Sequence, residues 1–135
     1  MKYWRRNILE IQFKDPKKLK LYEKCMELND LIFTFVRSNS FKEIGSLKSQ
    51  IIRSGTSIGA NLTEGNVQIY PLKELSFYNN ALGSAHETLY WLEVFCKNRY
   101  LTVRQCEDAN IVLKEIILML MGMMKNANSK IEKGS

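Results

Sequence analysis

The chain has 135 residues, 45% apolar and 25% charged, with a formal net charge of +6, which describes one globular domain with a real core. No apolar run approaches the ~20 residues that span a bilayer, and the opening MKYWRRNILEIQFK lacks the uninterrupted apolar segment of a secretory signal. Cys25, Cys96 and Cys106 are odd in number, far apart and without a CxxC pair. They read as small buried apolar residues in a reducing compartment, so the cytoplasm is the expected location.

The positive charge is local. Residues 1 to 24 hold eight basic and three acidic side chains, whereas the rest of the chain holds twelve and eleven. Such an excess suits a polyanion-facing surface, and a solvated face that only aids solubility is the plain alternative. Residues 1–14 are expected to form an extended arm, with Ile8, Ile11 and Phe13 loosely alternating. Tyr3, Trp4 and Phe13 would pin it to the bundle or to a neighbouring subunit.

Residues 15–132 then read as four amphipathic helices. Asp15-Pro16 predicts the first start, an N-cap acceptor followed by proline where no N–H is needed. Leu21, Cys25, Leu28, Ile32 and Phe35 follow at spacings of four and three, and SNSF after Arg37 breaks the pattern. The second helix begins near Ser46 and carries Leu47, Ile51, Gly55, Ile58 and Leu62 on one face. Gly65 stands where a left-handed glycine terminator is expected. The small-residue stretch SGTSIGA therefore lies inside a helix. A phosphate-binding GxxxxGK[ST] loop is excluded, because no lysine follows any of these glycines. Gly55 and Gly59 lie four apart and offer a flat patch for close helix packing or a subunit contact. Glu64, near a helix C-terminus, needs a specific partner, with Arg53 one candidate.

The third helix follows Pro71, with Leu75, Tyr78, Leu82, Ala85, Leu89, Leu92 and Cys96 as its main stripe and Phe77, Ala81, Trp91 and Phe95 beside it. The fourth opens on a capping box, Thr102 to Gln105. It continues through Cys106, Ala109, Leu113, Ile116, Leu120 and Met123 and is expected to fray in NSKIEKGS. Four such segments on short links predict an all-α fold, an up-down-up-down four-helix bundle with an extended N-terminal arm.

The stretches SQIIRSGTSIGANLTEG and FYNNALGSAHETLYWLE resemble the four-helix-bundle family encoded in intervening sequences of bacterial 23S ribosomal RNA. A related branch is similar to the accessory protein of diversity-generating retroelements, which partners a reverse transcriptase. The family pattern falls here on Gln50, Arg53, Ser54, Ser57, Ile58, Asn61, Leu62, Glu64 and Gly65, and downstream on Ala81, Gly83, Ser84 and Glu87. One departure is that NVQIYP follows Gly65, where the family commonly carries a basic residue. The resemblance implies a homo-oligomer, a pentameric barrel of bundles, that offers basic surface to nucleic acid.

An enzyme is not expected. A bundle di-iron site needs Glu-x-x-His pairs, and the single histidine, His86, follows Gly83, Ser84 and Ala85. No nucleophile with a paired base, zinc spacing or cofactor loop occurs, so no cofactor or metal is expected. The residues expected to meet nucleic acid are Arg5, Arg6, Lys14, Lys17, Lys18, Lys20 and Lys24, with Lys17, Lys20 and Lys24 read as one helical face. Arg53, Gly55, Ser57, Gly59, Asn61 and Glu64 are expected at a helix-packing or subunit interface. The expected partners are further copies of the chain, RNA and a reverse transcriptase, with no membrane. The alternative is an assembly module that binds only protein.

Overall fold

The computed structural model describes residues 14–38 and 44–134. Of the arm expected over residues 1–14, residues 1–13, with Arg5 and Arg6, lie outside these residues. Four helices follow in chain order: α1 (Lys20–Val36), α2 (Gly45–Asn66), α3 (Pro71–Lys97) and α4 (Val103–Gly134). Their cross-helix pairs run in opposite directions. Gly55 meets Ile32 and Gly59 meets Cys25; Ser57 meets Ser84 and Ser54 meets Thr88. Cys96 joins Cys106 while Glu74 reaches Lys130, and Lys24 reaches Glu115. Every sequential pair is antiparallel and α4 closes back on α1, so the bundle is up-down-up-down.

The first start differs from the sequence reading. Asp15 does cap, its carboxylate accepting the Lys17 N–H at 3.1 Å, but what it caps is a short 3-10 turn over Pro16–Lys18. Leu19 is extended (φ −76°, ψ 134°), and α1 begins only at Lys20. From there the expected stripe holds: Leu21, Cys25, Leu28, Ile32 and Phe35 are all buried.

Gly65 is a second difference. No glycine among the described residues has a positive φ, and α2 runs through Gly65 to Asn66. Its lack of a side chain serves proximity instead, since a Cβ there would lie 2.7 Å from the Tyr78 ring and 2.9 Å from Phe77 Cβ. Gly55 answers to α1, where a Cβ would come 2.5 Å from Ile32 Cδ1. The small patch is thus used within the molecule.

On α3 the buried line is Glu74, Tyr78, Ala81, Ala85, Thr88, Leu92 and Phe95. It lies one notch from the predicted stripe, and Leu75, Leu82, Leu89 and Cys96 are half-buried. Small and polar residues win these positions because α2 approaches closely and supplies partners: Thr88 Oγ1 and Ser54 Oγ share a hydroxyl bond of 3.0 Å. The capping box at α4 forms as read, with Gln105 N donating to Thr102 Oγ1 at 3.1 Å and Thr102 N to Gln105 Oε1 at 2.9 Å. The expected fraying does not occur. Ala127 is fully buried, Lys130 binds Glu74, and α4 continues to Gly134.

The cysteine reading also changes. Cys25 is a buried free thiol, as expected, but Cys96 and Cys106 form a disulfide with their Cα atoms 6.0 Å apart. Ten positions separate them along the chain, and the antiparallel turn between α3 and α4 removes that distance in space. With it goes the argument from cysteine usage for a reducing compartment. No helix among the described residues is long and apolar enough to cross a membrane.

Candidate functional site

The basic end is built by the break at Leu19. A continuous helix from Pro16 would have set Lys17, Lys20 and Lys24 in one row; the 3-10 turn and the extended Leu19 put Lys17 and Lys18 out of phase with α1. Lys14, Lys17, Lys18 and Lys20 are exposed and make no ion pair among the described residues. Lys24 is different. Its ammonium lies 2.8 Å from Glu115 Oε2 and 3.3 Å from Glu27 Oε2. The hydrogen bond to Glu115 first, and that to Glu27 second, raise its pKa above the ordinary lysine value. It ties α1 to α4 and has little charge left for phosphate.

The antiparallel course of α4 brings its last third to this same end. Lys125 and Lys20 line one groove, a pairing that needs the register of α1 against α4 and could not be read from either helix alone. The groove has a volume of about 500 Å³ and a floor that includes Leu19, Met119, Gly122 and Met123. A cluster of ammonium groups of this kind holds phosphate as point charges, without base readout.

The motif residues form a second arrangement, a polar seam where α2 meets α3. Arg53 Nη2 donates to Glu87 Oε2, and to Gln50 Oε1 at 2.9 Å. The Trp91 indole N–H donates to the same Glu87 oxygen at 3.0 Å. Ser57 and Ser84 share a hydroxyl bond of 2.9 Å, and the Asn61 amide donates to the Ser57 carbonyl at 2.9 Å. Thr88 adds a bond to the Ser84 carbonyl at 2.7 Å. The hydroxyls bond to one another and to backbone carbonyls, and His86 is exposed on the outer side of α3. These bonds clasp α2 to α3.

The six residues expected at an interface therefore divide. Gly55 and Gly59 face α1, and Arg53, Ser57 and Asn61 belong to the seam with α3. Glu64 is exposed, and its carboxylate makes no ion pair among the described residues; Arg53 takes Glu87 instead. The buried carboxylate that sequence reasoning missed is Glu74. It accepts from the Tyr78 hydroxyl at 2.7 Å and from Lys130 at 3.3 Å. Burial first, and Glu74 second, push the Tyr78 hydroxyl well above the usual tyrosine range. Among the described residues no three His, Cys, Asp or Glu side chains converge as metal ligands.

A family model described as 23S rRNA-intervening sequence protein matches residues 17–122. A crystal structure from Bacteroides thetaiotaomicron, described as a protein of unknown function from the S23 ribosomal protein family, is 32% identical with a TM-score of 0.71. The likeness covers 78% of this chain and 98% of that one. No curated protein matches.

Proposed function

The chain belongs to the 23S rRNA-intervening sequence protein family, and from that premise we propose that it is a non-enzymatic, homo-oligomeric bundle that binds structured RNA through its basic end. The observation that carries this reading is the set of exposed lysines at one end, Lys14, Lys17, Lys18 and Lys20, joined across the fold by Lys125. Arg5 and Arg6 extend the same charge in sequence. Self-assembly is supported by the outward face of α4, where Val103, Ile111, Leu118 and Met121 are exposed within one sector of the helix. A closed ring, a pentamer in the form the resemblance implies, would repeat the basic end around one axis and multiply its field. Within a ribonucleoprotein, a reverse transcriptase is the protein partner that the retroelement branch of the resemblance points to.

Reversing Lys14, Lys17, Lys18 and Lys20 to Glu is expected to lower RNA affinity by orders of magnitude. It should also flatten the salt dependence by about 0.7 to 0.9 in log–log slope for each phosphate no longer neutralised. Lys24→Gln should leave both nearly unchanged. Anisotropy titrations across salt, beside light scattering for a mass several times 15.7 kDa, test the reading. Absence of RNA binding by the wild type near ~150 mM salt would overturn it in favour of a module that assembles with protein alone. Lys24 is the observation on that side, a cation of the expected set already committed to Glu27 and Glu115.

A further inference from the structure

We propose that the groove between the start of α1 and the outer side of α4 receives one unpaired nucleotide of the bound RNA. Its base would lie over Met119, Gly122 and Met123, and its phosphate between Lys20 and Lys125. The inference rests on the RNA-binding reading above and gives it a recognised feature, a base that is not paired.

Three observations meet in this groove. The first is its chemistry, a mostly apolar lining that also includes Lys20, Lys125 and Asn126. Neither Lys20 nor Lys125 makes an ion pair among the described residues. An apolar floor alone would suit many occupants, and two unpaired cations beside it select an anionic one. The second is size: about 500 Å³ lies within the range of small-ligand clefts and admits one nucleotide. The third is Gly122. A glycine inside a long helix costs roughly 1 kcal/mol relative to alanine, and here no packing neighbour among the described residues lies within 4 Å of where its Cβ would stand. Unlike Gly55 and Gly65, Gly122 meets no packing partner among the described residues. Its missing side chain keeps the floor open between Met119 and Met123, two half-buried thioethers of the kind that lie favourably against planar rings. Lys14, Lys17 and Lys18 on the adjoining turn would hold the flanking backbone, whose charge is the same whatever its sequence.

The test compares a fully paired RNA duplex with the same duplex carrying one bulged adenosine. Wild-type protein is expected to bind the bulged RNA about tenfold more tightly, the ratio that one stacked base supplies. Gly122→Leu fills the groove at an exposed helical position and adds helix propensity, so the fold should hold, as circular dichroism would verify. It is expected to abolish the preference, so that the two RNAs bind with equal affinity. Lys20→Gln with Lys125→Gln should weaken both RNAs, the bulged one more. Equal wild-type binding of the two RNAs would sink the groove assignment and leave the basic-end reading standing. So would a Gly122→Leu variant with the wild-type preference, or one whose only change is a lower mass in light scattering, which would assign the groove to contact between copies. Binding of neither RNA would remove both readings.

Discussion

A methyl group has opposite consequences at two glycines of α2. At Gly59 the nearest atom to an added Cβ is Cys25 Cβ at 3.4 Å, an ordinary contact. At Gly65 the added atom would press on the Tyr78 ring at 2.7 Å and on Phe77 Cβ at 2.9 Å, the ring itself being fully buried and held by Glu74. Gly59→Ala is therefore expected to stabilise by up to about 1 kcal/mol through helix propensity. Gly65→Ala should destabilise by about 1 to 3 kcal/mol through overpacking. Urea midpoints of the two variants measure this, and a shift in the same direction for both would contradict the geometry. The sequence reading took Gly55 and Gly59 as a flat packing patch and Gly65 as a helix terminator, whereas Gly65 too answers to packing, and more strictly than Gly59. Small size is visible in a sequence; what the missing atom would have struck is not. Glu64 and Arg53 show the same limit. Both were legible as polar residues in need of partners, but the choice of Glu87 for Arg53 depends on how α3 is rotated against α2.

At the scale of elements, α1 and α4 were legible because their buried lines are almost purely apolar. The buried line of α3 was not, because it runs through Glu74 and Thr88, whose burial is tolerable only beside Tyr78, Lys130 and Ser54. The basic groove needs two helices in register and so has no signature in either. The end of α3 carries a different lesson. Tyr100 N–H reaches back to the Phe95 carbonyl at 3.0 Å and Arg99 N–H to that of Cys96 at 3.1 Å. Phe95 and Tyr100 meet edge to face at 6.3 Å, the apolar contact that accompanies this kind of helix stop. The position that such a stop gives to glycine is held by Arg99, at φ 62°. Its side chain is exposed, so Arg99→Gly should stabilise by about 0.5 to 1 kcal/mol by removing the left-handed penalty. Arg99→Ala, which keeps the Cβ, should not. Thermal melts of the two variants would show this, and equal effects would mean the backbone there is unstrained.

Across the whole molecule, the core is sealed tightly enough to hold two acidic protons out of reach of water. Burial pushes the Cys25 thiol from 9.0 up to about 12, and Tyr78 is raised from 10.0. In the unfolded chain both groups ionise at their ordinary values, whereas in the bundle they stay protonated. Both pKa values are raised by folding, so their contribution is complete below pH 9.0 and falls as pH climbs through the interval to about 12. The urea midpoint is expected to drop steadily from pH 9.0 upward. A flat profile to pH 11 or so would mean that water reaches these groups in the native state. The disulfide acts at this scale too, through chain topology. Joining Cys96 to Cys106 turns a linear polypeptide into one with a closed ring at the α3–α4 corner. Lys97, Arg99 and Arg104 all lie within that ring, so a protease that cuts after any of them severs the backbone without separating the halves. The molecule can be nicked at this corner and gain no more than the water of hydrolysis, its two long helices still tethered sulfur to sulfur.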